Sequence, residues 1–204
     1  MIIKWISIVW EINKANSILI DNLTSDDFFQ GFQHQLFLQQ NEGTFFRKTE
    51  DNNVEKIIII GLTRIEYWVL NLNERDLDFR EIQSTFSNMM EKWSLLYKWS
   101  LGFKTIGVIT NLSLAQDEKS DKDIPVDNQE YEFITLTSSV NFKKGDFNYN
   151  VQYTKSADNS IDINLDVNNR LSDKDKNDID SLILELKNTL SLSDWELAKS
   201  LWIK

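Results

Sequence analysis

Alternating apolar and polar positions are the clearest pattern in this chain, and they predict a sheet. Residues 147–154 and 160–168 alternate strictly between apolar and polar side chains, which is typical of strands with one buried and one wet face. The run Ile57-Ile58-Ile59-Ile60 favours a strand covered on both faces. Further strands are predicted at residues 2–12, 44–47, 54–62, 64–72, 104–114 and 130–142.

Helical spacing of apolar residues predicts four helices between these strands. They are expected from Thr24 to about Gln40, from Phe79 to Leu101, from Ser172 through Leu190, and from Ser193 onward. Asp78 with Glu81 and Ser193 with Glu196 have the spacing of capping boxes, so they mark the starts of the second and the last helix. The helix from Phe79 to Leu101 is the longest of the four.

The order of these elements predicts an α+β fold. We expect a mostly antiparallel, curved sheet, or two such sheets, packed by the long central helix and by the C-terminal helices. Residues 1–204 form one domain in this interpretation, and the recurring element order allows two related halves, 1–103 and 104–204. Residues 115–129 are nearly free of large apolar groups and contain the chain's proline, so they are predicted to form a mobile charged loop.

The composition removes most recognisable enzyme classes. The 204 residues include one histidine and no cysteine, so a thiolate nucleophile, a cysteine-bearing zinc site and a two-histidine metal site are excluded. No nucleophile or phosphate-loop motif is present. We therefore predict a protein that is not an enzyme and needs neither a metal nor a cofactor.

The net charge of −10 bears on the partners. Duplex nucleic acid is an unfavourable ligand because binding its phosphates requires clustered Lys and Arg, and the five arginines are scattered. No segment has the length of apolar sequence that a membrane span needs, and the N-terminus lacks a secretory signal pattern. These observations predict a cytoplasmic protein that does not act at a membrane.

One acidic spacing resembles the start of a calcium loop. Asp162, Asn164 and Asp166 alternate like the first ligands of such a loop, but Val167 occupies the position that requires glycine. The intervening residues are aliphatic, so the wet face of a strand is the preferred interpretation.

The C-terminal helix supplies the candidate interaction residues. Trp195 and Trp202 are seven residues apart and share a helix face, and Leu201 is the third candidate on the same helix. Aromatic residues on a terminal amphipathic helix can pack on their own domain or anchor a partner protein. We favour packing within the chain, and both alternatives remain open.

The segment from Phe79 onward also carries a resemblance. The helix to Leu101 followed by Thr105-Ile106-Gly107-Val108-Ile109-Thr110-Asn111 resembles a sporadically distributed bacterial family of uncharacterised α+β proteins, in which such a helix leads into a strand with a Gly-Leu-Arg-Tyr-Ile-Asn-like motif. Gly107 and Asn111 match that motif, whereas Ile109 and Thr110 replace its Arg and Tyr. The resemblance implies the architecture and no established activity.

These observations lead to three functional hypotheses. The first is a non-catalytic protein that acts through contacts with another protein, as an accessory subunit, inhibitor or adaptor of a bacterial defence or toxin-type locus. The second is a small-molecule or peptide binder with an aromatic pocket between the sheet and the long helix, as in helix-grip or chaperone-like folds. The third, which the sequence supports least, is an enzyme that depends on carboxylates.

Overall fold

The fold is known from a computed structural model that describes most of the chain. The described residues are 2–12, 31–37, 43–50, 53–61, 64–73, 77–78, 80–82, 84–88, 103–114, 135–158, 160–170 and 179–203. None of the helices within these ranges is long and apolar enough to cross a membrane.

The described part of the chain is an α+β protein built on one antiparallel sheet of nine strands. The strands are β1 (Ile2–Ile12), β2 (Gln33–Phe37), β3 (Gly43–Glu50), β4 (Val54–Ile60), β5 (Arg64–Asn71), β6 (Phe103–Ser113), β7 (Thr135–Lys144), β8 (Phe147–Ser156) and β9 (Ile161–Arg170). Two helices follow, α1 (Ile179–Thr189) and α2 (Leu192–Ile203). Every strand that the alternation predicts is present, with its ends shifted by a few residues.

The strands of the sheet are arranged β2-β3-β4-β5-β1-β6-β9-β8-β7. A strand that pairs with the end of a three-strand meander occurs twice in this order, and β2 is an additional outer strand beside the first meander. β1 pairs with β5, the last strand of the β3-β4-β5 meander, and helical residues 80–82 and 84–88 follow that meander. β6 pairs in the same way with β9, the last strand of the β7-β8-β9 meander, and α1 follows. The antiparallel pair β1–β6 joins the two units at the centre of the sheet.

The core lies on one face of the sheet, which we call the helix-side face. Ile6, Ile8 and Trp10 of β1 point to it and are fully buried, as are the β6 residues paired with them. Phe86 covers the first half, with its ring 4.2 Å from that of Trp10 between centroids. Residues of α1 and α2 belong to the same core cluster and cover the second half. The opposite side of the sheet is called the outer face.

The predicted helix from Thr24 to Gln40 is wrong at its C-terminal end. Residues 33–37 form β2, which pairs with β3 from Gln33↔Arg47 to Phe37↔Gly43. Gly31 has a φ of 87°, a left-handed conformation that an ordinary helix does not contain. The apolar spacing in this segment fits both periodicities, and pairing with a neighbouring strand decides between them. Residues 24–30 and 38–40 of that predicted helix lie outside the described residues.

The long central helix is not shown. Residues 80–82 and 84–88 are helical, and residues 89–102 lie outside the described part of the chain. The predicted start is correct, because the Asp78 side chain accepts a hydrogen bond of 2.8 Å from the Arg80 amide. The predicted loop at residues 115–129 also lies outside the described residues.

The calcium-like spacing lies on β9, as the wet-strand interpretation predicts. Ile161, Ile163, Leu165 and Val167 are fully buried, whereas Asp162, Asn164 and Asp166 lie on the outer face. A bulge in β1 leaves Lys4 without a partner in the β6 register, and its Nζ lies 2.7 Å from Oδ1 of Asp162. Asp162 therefore already has a cation beside it.

Candidate functional site

Of the three predicted interaction residues, the structure places Trp195 in the core. Its side chain is 4% exposed and belongs to the main hydrophobic cluster. Leu201 is partly buried and packs against that cluster. Trp202 lies on α2, but its side chain is outside the described part of the chain. Trp195 therefore packs against its own domain, as the favoured alternative expects.

A polar cluster beside Trp195 fixes α2 to the sheet, and we call it the Asp194 cluster. Oδ1 of Asp194 accepts hydrogen bonds from Lys144 Nζ at 2.9 Å and from Tyr149 Oη at 3.0 Å. Oδ2 accepts from the backbone amide of Ser191 at 2.9 Å and from its hydroxyl at 3.0 Å. Asp194 is 4% exposed, and both of its oxygens are satisfied by these four donors.

This cluster corrects the predicted cap of the last helix. Ser191 precedes α2, and Asp194 in its first turn reaches back to the Ser191 amide, which is the reciprocal part of a capping box. Ser193 and Glu196, the predicted pair, lie inside the helix. The sequence contains Ser-x-x-Asp at 191–194 as well as Ser-x-x-Glu at 193–196, so spacing alone could not choose between them.

The electrostatics of the cluster favour ionised Asp194. Burial opposes its ionisation, but hydrogen bonds from Lys144, from Ser191 and from Tyr149 outweigh burial and hold the pKa of the Asp194 carboxyl below its usual value. Burial first, and then the Asp194 charge, raises the pKa of Tyr149. Tyr149 therefore stays a hydroxyl donor at any physiological pH, and a structural role explains every member of the cluster.

A cavity of about 190 Å³ lies between the sheet and residues 77–85, among which 80–82, 84 and 85 are described as helical. This is the place where the second hypothesis predicts a pocket. Its lining is mixed rather than aromatic and consists of Val54, Lys56, Tyr67, Val69, Leu77, Asp78, Glu81, Ile82 and Thr85. Three charged side chains and one tyrosine could hold a small polar molecule. The volume is below the roughly 300 Å³ at which pockets for drug-sized ligands begin.

The outer strand β7 is exposed along nearly its whole length. It pairs with β8 over ten residues without a register shift, and no described strand pairs with its other edge. Nine of its ten residues are exposed, including Leu136 at 38% and Val140 at 39%. From Thr135 to Phe142 the strand carries no charge and no proline. We call this unpaired side of the strand the β7 edge.

The outer face of β8 and β9 is rich in amides and carboxylates. Six positions on it are Asn or Asp, residue types that are depleted in strands: Asn148, Asn150, Asp162, Asn164, Asp166 and Asn168. Burial raises the pKa of Asp166, while a hydrogen bond from Asn168 acts in the opposite direction. Among the described residues no three His, Cys, Asp or Glu side chains converge as a metal site would require.

Comparison with known proteins adds no relative: no protein-family model matches the chain, and no curated protein is similar to it. Sequence patterns anticipated β7 as a strand but not as the outermost one, because strand order depends on pairings between distant segments. One feature of the sequence could have indicated that β7 is special: residues 133–142 carry no charge, although the chain has a net charge of −10.

Proposed function

We propose that this is a non-catalytic binding protein, an accessory subunit, inhibitor or adaptor, that engages another protein chain by strand addition at the β7 edge. The observation that carries the proposal is the accessibility of β7, which is ten residues long and outermost in the described sheet. We retain a cytoplasmic location and the absence of a nucleic-acid ligand as parts of the proposal.

The physical basis is the set of backbone groups along this edge. An outer strand presents a row of N–H and C=O groups that can pair with another extended chain. Natural proteins usually block such edges with charges, proline, bulges or short strands. The opposite outer strand, β2, is only five residues long. β7 has none of these protections between Thr135 and Phe142, which favours an edge that is available to pair with another chain.

The hairpin geometry indicates which backbone groups face outward. A two-residue turn, Gly145 and Asp146, joins β7 to β8, and Lys144 and Phe147 are the residues that flank it. In a hairpin of this kind the two flanking residues form a hydrogen-bonded pair. The even-numbered residues of β7 therefore bond to β8. The odd-numbered residues, including Thr137, Ser139 and Asn141, direct their N–H and C=O groups away from the sheet.

Amide hydrogen exchange tests this mode. In a dilute sample we expect the amides of Thr137, Ser139 and Asn141 to exchange rapidly while those of Ser138 and Val140 are protected by β8. A bound partner should protect the first group. Ser139→Pro should abolish that protection without unfolding the sheet, because the Ser139 amide makes no bond to β8. Val140→Pro is the matched variant. The Val140 amide bonds to β8, so the loss of this hydrogen bond should destabilise the hairpin.

Protection of the outward amides in the dilute monomer would contradict the proposal, because it would mean that the chain covers its own edge. The proposal would also be contradicted if Ser139→Pro bound the partner with unchanged affinity.

The cavity supports a second candidate function, the binding of a small polar molecule. It lies between β4, β5 and the segment that contributes Asp78, Glu81 and Thr85, and Lys56 of β4 is among its lining groups. Thr85→Trp should fill the cavity. Native mass spectrometry of protein purified from its host should then show a bound small molecule in the wild type and none in the variant. Apoprotein alone in both samples would remove this candidate.

A further inference from the structure

We propose that the chain that pairs with the β7 edge is a second copy of this protein, in an antiparallel dimer whose two-fold axis passes at Ser139. The inference rests on the strand-addition mode proposed above and names its partner. It is carried by the charge, the register and the side-chain pattern of β7.

The charge distribution makes the β7 edge the favourable approach for a second copy. Two chains of net charge −10 repel each other, so a contact between them requires a surface without acidic groups. β7 contains no acidic residue, and its only charges are Lys143 and Lys144 at the hairpin end. Because the β7 edge is neutral from Thr135 to Phe142, it also lacks the charged groups by which an oppositely charged protein would be selected as the partner.

The position of the lysines decides the direction of pairing. Parallel pairing would bring Lys143 and Lys144 of the two copies side by side. Antiparallel pairing about Ser139 separates the two Lys143 residues by roughly 27 Å along the strands, well beyond the screening length of about 10 Å at moderate salt. Antiparallel pairing is also the more stable ladder per residue.

The backbone pattern decides the register. Hydrogen-bonded pairs must join the outward-facing residues, which are the odd-numbered ones. A two-fold axis at Ser139 pairs this residue with itself, Thr137 with Asn141, and Thr135 with Lys143. All of these are odd-numbered, and the ladder gains about ten hydrogen bonds. Lys144, which is bonded to Asp194, then lies just beyond the paired segment.

The side chains match in the same register. On the helix-side face, Leu136 of one copy lies beside Phe142 of the other, and Val140 lies beside Ser138. The pairing therefore places the two exposed apolar residues of β7, Leu136 and Val140, in cross-strand contacts. The paired strands are the main contact, so the interface lies at the small end of the specific class, and we expect a dissociation constant on the order of micromolar.

Charge substitutions at the axis test the inference by sedimentation across a concentration series. Ser139→Lys places two like charges directly opposite each other, so it should weaken the dimer at least about tenfold, and Ser139→Asp should do the same. A mixture of the two variants should restore dimerisation as a heterodimer. Gln152→Lys is the matched control, because Gln152 is the exposed neighbour of Ser139 on β8 and lies inside a single copy.

The outcomes separate this inference from the strand-addition mode. A wild-type chain that stays monomeric at every concentration overturns the second copy as partner but leaves strand addition by a different protein to the exchange experiment. A dimer that persists in Ser139→Pro with unchanged affinity overturns pairing of two copies at the β7 edge, and the exchange experiment then decides separately whether a different protein adds a strand there. A third outcome is possible, in which Ser139→Pro abolishes the dimer but a mixture of Ser139→Lys and Ser139→Asp does not form a heterodimer. That result overturns the two-fold axis at Ser139.

Discussion

Replacing Asp194 with alanine tests how the last helix is attached to the sheet. The substitution removes the acceptor of four hydrogen bonds, but their contributions differ. Lys144 has 55% of its side chain exposed, so its ion pair contributes little beyond the hydrogen bond. The capping interaction with Ser191 contributes about 1 kcal/mol. The buried Tyr149 hydroxyl loses its acceptor, which costs roughly 1–3 kcal/mol.

Together these contributions predict a loss of about 3 kcal/mol in the free energy of unfolding, measured from urea denaturation midpoints by tryptophan fluorescence. Ser191→Ala should cost about 1 kcal/mol, whereas Ser193→Ala should cost a few tenths, because Ser191 and not Ser193 is the capping residue. The pair of serine variants is a matched control, since the two residues are two positions apart, Ser191 precedes α2 and bonds Asp194, and Ser193 lies within the helix.

The pH dependence gives an independent check. The pKa of Asp194 is lowered below its usual 3.8 in the folded protein, so folding favours the ionised form. The stabilisation is therefore complete above about pH 4 and is lost as the pH falls through the folded-state pKa. The difference in stability between the wild type and Asp194→Asn should shrink below about pH 4. A cost of Asp194→Ala under 1 kcal/mol, or a difference that grows as the pH falls, would refute the reasoning.

Three further predictions concern other elements. Trp195→Ala should lower the free energy of unfolding by roughly 3–5 kcal/mol because the side chain is in the core; unchanged urea stability with loss of a co-purifying partner would instead make Trp195 a binding anchor. Gly145→Ala should lower the free energy of unfolding by about 1 kcal/mol and Gly145→Asn by less, because φ is 62° and no atom lies near the added Cβ. Equal losses for the two variants in urea denaturation would show that the left-handed backbone conformation is not the cause. Millimolar calcium or EDTA should leave the melting temperature unchanged, because Asp162 is paired with Lys4 and lies on an extended strand; a rise of several degrees with calcium would show a site.

The sequence by itself determined the local elements of the second half. Strict alternation in residues 147–154 and 160–168 leaves one face apolar, and burying that face requires the strand register that is observed. The Asp78 cap was also readable, because a helix start needs a side-chain acceptor at one fixed position. Local geometry dictates such features, so they are visible in a few consecutive residues.

Only the tertiary structure decided the rest. Residues 33–37 have spacings that suit a helix, but hydrogen bonding to β3 makes them a strand. Two serine-led boxes compete at the start of α2, and the nearness of Tyr149 and Lys144 to Asp194 identifies the correct one. β7 looked like an ordinary strand of a meander, and its place at the end of the order follows from β9 pairing with β6. Each of these outcomes depends on groups distant in sequence, whose pairing energy no local pattern contains.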